Sequence, residues 1–126
     1  LVEALSSHGY KAEPFVILQG NVTRAKYLVD VLVHSPGKGF SALIFNTSNV
    51  NPESFPKPLT LAVDLQIPII VLMSKEYAES VAGFFGFEED VERSIQTLFP
   101  SELVKVVIYE NEADMSAKVL DALKKL

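Results

Sequence analysis

Apolar residues in this chain gather in four short blocks: Phe15-Val-Ile-Leu18, Ala42-Leu-Ile-Phe45, Ile69-Ile-Val-Leu-Met73 and Val104-Lys-Val-Val-Ile-Tyr109. Each is about one strand long and rich in β-branched or aromatic side chains, and the first three are continuous rather than alternating. Strands covered by helices on both faces have that signature, so the pattern predicts parallel strands at about 14–18, 42–46, 69–73 and 104–109. Between the blocks the period becomes helical. Val22, Ala25, Leu28, Val29, Leu32 and Val33 make one broad stripe behind Asn21 as N-cap, which predicts a helix over 22–34. A shorter helix is expected from Pro58 to Gln66, with the Ile67-Pro68 pair extending the chain before the third strand. Ser74 caps a segment running to Phe85. Val91, Ile95, Leu98 and Phe99 mark a further helix that Pro100 stops, and Asn111 opens a last one whose face is Met115, Val119, Ala122, Leu123 and Leu126.

Strands separated by helices imply an α/β fold, a three-layer αβα sandwich around a mostly parallel four-stranded sheet, flavodoxin-like or Rossmann-like in general architecture. A length of 126 residues suits a single domain spanning 1–126. The opening run Leu1 to Tyr10 reads as a helix end closed by Gly9 with nothing before it, as expected of a segment excised from a longer chain. Residues 47–58 form the one long polar connection.

Composition narrows the chemistry. With no Cys, thiol nucleophiles, disulfides and thiolate metal sites are excluded, and the chain suits a reducing compartment, here taken as cytoplasmic. The protein is acidic, with a formal net charge of -5. The first 63 residues carry 5 basic and 4 acidic side chains and the remainder 6 and 12. Binding to a phosphate backbone depends on Lys and Arg, so nucleic acid is not an expected partner. No apolar run reaches the ~20 residues of a membrane helix, so no membrane is expected either.

Parallel sheets bind ligands beyond the carboxyl ends of their strands, where helix N-termini converge. The expected places here are Gly20, Asn21, Thr23 and Arg24 after the first strand, Asn46, Thr47, Ser48 and Asn49 after the second, and Ser74 with Lys75 after the third. Amides and hydroxyls dominate, with Arg24 or Lys75 as countercharge, which points to a small anionic or phosphorylated, nucleotide-like ligand. Gly20-Asn21-Val22-Thr23 is similar to the Gly-Asn-Thr phosphate loop of flavodoxins with Val22 inserted. No aromatic signature for flavin stacking accompanies it, and that family is not assigned. Pro36-Gly-Lys-Gly39 reads as a helix stop with His34 in the last helical turn, at the opposite rim. Asp30 and Asp64 fall inside expected helices rather than at strand ends, neither His8 nor His34 reaches a strand end, and no metal-ligand spacing occurs, so no metal is expected.

Phe84, Phe85 and Phe87, broken by Gly83 and Gly86, are denser than one helix face easily buries; they read either as core filling under the sheet or, if part of the cluster is exposed, as a partner-binding or dimer patch with Phe84 and Phe87 as the candidate interface residues. The reading that follows is a non-catalytic binding or interaction domain, self-associating or regulatory, with a protein partner or a second copy. The alternative is a domain, or an enzyme, holding a small polar ligand at the carboxyl-end rim.

Overall fold

All four apolar blocks are strands, and a fifth strand joins them. In the computed structural model, which describes residues 1–35, 37, 39–47 and 57–126, the chain runs α1 (Val2–Ser7), β1 (Lys11–Gln19), β2 (Lys26–Ser35), β3 (Phe40–Asn46), α2 (Lys57–Leu65), β4 (Ile69–Ser74), α3 (Lys75–Phe85), α4 (Val91–Gln96), β5 (Val104–Tyr109) and α5 (Glu112–Lys124). The helix expected over 22–34 does not form. Of its apolar residues, Leu28, Val29, Leu32 and Val33 belong to β2, where Val29, Val31, Leu32 and Val33 are buried, and Val22 and Ala25 lie in the connection before it. A strand packed on both faces loses its two-residue alternation, and Leu28, Val29, Val31, Leu32 and Val33, with only Asp30 between them, then fit a helical stripe as well as a strand.

This one exchange alters the sheet. With a strand where a crossover helix was expected, β1, β2 and β3 follow one another with no helix between them and pair antiparallel. The later strands β3, β4 and β5 pair in parallel, as their separation by helices requires. The result is a mixed five-stranded sheet in the order β1-β2-β3-β4-β5, in place of the expected mostly parallel four. The Gly37 and Gly39 turn therefore links two strands, not a helix to a strand, and Gly39 takes φ 67° as its N–H reaches Ser35 O at 2.8 Å. His34 correspondingly lies in β2, opposite Ser41, with its Nδ1 2.8 Å from the Ser41 hydroxyl.

The three layers are nevertheless present. One face of the sheet packs Leu43, Ile69, Val71 and Met73 against Leu61 and Leu65 of α2, Ala78 and Val81 of α3 and Ile95 of α4. The other packs Ile44, Ile70, Leu72 and Val107 against Leu5 of α1 and Val119 and Leu123 of α5. Ser74 caps α3 by accepting from Tyr77 N at 3.1 Å, and Gly86 ends that helix at φ 75°. At α5 the Asn111 side chain accepts from Asp114 N at 2.9 Å, while the Asp114 carboxylate accepts from the N–H of Glu110, the residue before the cap, at 3.0 Å.

The β1–β2 hairpin is bent. Val29 and Val31 are two apart in one strand, yet Val29 packs with α2 and Val31 with the α1–α5 layer. The break falls at Asp30 and its cross-strand neighbour Phe15, which adopts φ 56° and drops out of the paired ladder although the register on either side is unchanged. Beyond it, β2 residues 26–30 have no β3 partner.

Candidate functional site

The three parallel strands send their carboxyl ends to one rim, and part of the expected ligand set assembles there. Asn46 pairs in register with Leu72, two residues before Ser74, and Ser74 pairs with Tyr109, next to Glu110. Each polar group at this rim already has structural work. Buried Thr47 is tied to Leu72 O by its N–H at 3.1 Å and its hydroxyl at 2.8 Å. The Ser74 hydroxyl is the cap of α3, and Lys75 Nζ lies 4.0 Å from a Glu110 carboxylate oxygen. A Ser–Lys pair in which the amine activates the hydroxyl is thus not assembled. Ser48 and Asn49 lie outside the described residues.

Beside Lys75 is a cavity of about 270 Å³, with Val91 and Ile108 as apolar wall and Lys75, Glu79, Glu110 and Lys118 around it. Lys118 donates to Ile108 O at 2.7 Å and pairs with Asp114 at 3.3 Å. The Glu110 backbone N–H, and then Lys118, hold the Asp114 carboxyl below its ordinary value. Both cations are therefore countered by carboxylates of the same chain.

Gly20, Asn21, Thr23 and Arg24 form the tip of the β1–β2 hairpin, not a helix start, and the tip is fastened to α2. Asp64 of α2 accepts from Val22 N at 2.8 Å, Thr23 N at 3.0 Å, the Thr23 hydroxyl at 2.5 Å and the Tyr27 hydroxyl at 2.6 Å. Asn21 N donates to Asp64 O at 2.8 Å and the Asn21 amide to Leu65 O at 3.1 Å. A β-carbon on Gly20 would come 2.1 Å from the Asp64 carboxylate, so only glycine fits. Hydrogen bonds from the Thr23 hydroxyl, then the Tyr27 hydroxyl and the Thr23 and Val22 amides, push the Asp64 pKa far down, and the same contact raises that of Tyr27. The Thr23 donors, expected to meet an external anion, meet this buried internal one together with the Val22 N–H, while Asn21 donates to backbone carbonyls of α2.

Sequence reasoning missed both aspartates. Asp64 has partners some 40 residues away, which no local pattern reveals. Asp30 interrupts the run Leu28-Val-Asp-Val-Leu-Val33, and that interruption was the available signal; Asp30 is half-buried and its Oδ2 accepts from Asn46 N at 2.8 Å. His8 lies at the end of α1 with Nδ1 2.9 Å from Ala4 O. Among the described residues no group of three His, Asp or Glu is placed to hold a metal.

The aromatic cluster sits where α3 ends. Phe84 is 57% exposed and Phe85 37%, and the two rings meet edge to face at 5.0 Å. The left-handed turn at Gly86 brings Phe87 back so that its N–H reaches Ala82 O at 2.8 Å and its ring stacks on Phe85 at 5.8 Å. Phe87 is half-buried against the α2–α3–α4 layer. Of the two candidate interface residues, then, one faces outward and the other supports it from within.

No family model and no curated protein matches this chain. Among solved structures it is similar to a protein of unknown function, AF1548, at 16% identity and a TM-score of 0.52. The likeness covers 98% of this chain but 61% of that one, so the chain spans less than two thirds of its structural neighbour. At this identity the likeness shows a shared fold, an α/β three-layer architecture. Among the described residues no helix is long and apolar enough to cross a membrane.

Proposed function

We propose that this chain is a non-catalytic interaction domain that associates with a second copy of itself, or with another protein of the cytoplasm, through the end of α3. The observation that carries this is Phe84, a large aromatic 57% exposed on a ring cluster that Phe85 and half-buried Phe87 hold in place. Pre-ordered aromatic rings lose little freedom on contact and are enriched at interfaces. The test is solution mass measured over a concentration series. The parent protein is expected to rise towards a dimer, and Phe84→Glu to remain monomeric with an unchanged unfolding temperature. A parent that stays monomeric throughout, or a Phe84→Glu protein that associates equally well, defeats self-association.

A second reading, a small polar ligand at the carboxyl-end rim beside Lys75, is supported by the cavity of about 270 Å³ that Lys75, Ile108, Glu110 and Lys118 line; Asn46, Thr47 and Ser74 are not among its walls. Titration with phosphate and a nucleotide panel would then shift the amides of Lys75 and Ala78 saturably. Shifts that never saturate sink it.

A further inference from the structure

The bend in the β1–β2 hairpin leaves a cleft of about 490 Å³ between the strands and the α1–α5 layer, in the size range of small-molecule sites. Its walls are mainly apolar, with Val2, Phe15, Val31, Leu72 and Met115 among them, and Asp30 is its acidic group. One Asp30 oxygen takes the Asn46 N–H at 2.8 Å. Among the described residues no cationic side chain pairs with this carboxylate, although four other ion pairs are formed elsewhere. Phe15 lines the cleft while remaining 73% exposed, so its ring is available to cover an occupant.

We infer that this cleft binds an organic ammonium ion, with the nitrogen on Asp30 and an alkyl or aryl body among Val2, Phe15, Leu72 and Met115. Charge selects the class of ligand. An anion would meet a carboxylate within apolar walls, and a neutral apolar compound would strip water from that carboxylate without replacing its hydrogen bonds. A hard divalent metal wants six or more oxygen ligands, and this cleft offers chiefly carbon and a thioether. An ammonium on an apolar stem supplies both halves: a charge-assisted hydrogen bond to Asp30, and a body that the walls and the Phe15 ring accommodate. The same chemistry is offered by a free amine and by a lysine side chain of a partner protein.

The experiment follows backbone amides of Val31, Asn46, Leu72 and Met115 during titration with n-hexylammonium, N-acetyl-lysine methylamide, n-hexanoate and n-hexanol. Saturable shifts are expected with n-hexylammonium or the lysine derivative, and binding of hexanoate at least about tenfold weaker. The tighter of the two cations names the source. Asp30→Asn keeps an acceptor for Asn46 N–H but removes the charge. It is expected to weaken the cation about tenfold while hexanol binding is retained, which shows the cleft intact. If that variant fails to fold, the comparison of cation with carboxylate on the parent protein still decides. Equal binding of hexanoate and hexylammonium, or no saturable shift from either cation, overturns the inference.

Discussion

Because Asp64 receives its hydrogen bonds from Val22, Thr23 and Tyr27, all in or beside one hairpin tip, its charge and the position of that tip are a single property. The folded pKa lies far below the ordinary carboxylate value of about 3.9. The unfolded chain therefore takes up the proton first as acid is added. The stabilisation is fully present above about pH 4 and is lost as the pH falls from there towards the folded value. Asp64→Asn keeps an oxygen acceptor without the charge, so its unfolding temperature is expected to be lower than the parent's at pH 7 and to fall less between pH 7 and pH 3. Thermal unfolding at several pH values checks this; parallel pH curves for the two proteins would refute it. Asp114, lowered in the same direction, leaves the variant some acid sensitivity of its own.

Among the elements, those governed by neighbours a few residues apart were the legible ones. Ser74 and Asn111 read as caps and are caps, because the donors they satisfy lie three residues on. Asn111→Ala is expected to cost about 1 kcal/mol, read as a lowered denaturation midpoint with unchanged slope. An unchanged midpoint would mean that α5 is held by Val119 and Leu123 alone. The strand β2 was not legible, since Val29, Val31, Leu32 and Val33 are buried on two faces and the bend at Asp30 moves successive odd-numbered residues to different layers. A periodicity argument assumes one face per element, and this strand has no single face. The hairpin tip failed with it: once 22–34 is taken as a helix, Gly20 to Thr23 become a helix entrance, and the chemistry expected of them is aimed at solvent rather than at α2.

For the molecule as a whole, the three layers were readable from the apolar blocks, and the sheet's mixed character was not, because antiparallel pairing turned on the one misread element. Sequence patterns also hid which loops meet. The rim residues Asn46, Thr47 and Ser74 come together through β3–β4 pairing, whereas Gly20 to Arg24 are drawn to α2 by a carboxylate 40-odd residues downstream.

The sheet's spatial order is also its order along the chain. Every new strand joins the outside of what already exists, and none has to be threaded between two that have already paired. A chain leaving the ribosome N-terminus first can complete each ladder with the segment just synthesised. The antiparallel meander of β1, β2 and β3 has the shorter connections along the chain, and the parallel half, whose connections carry helices and cost more entropy to close, can be laid down against the β3 edge once that meander has paired.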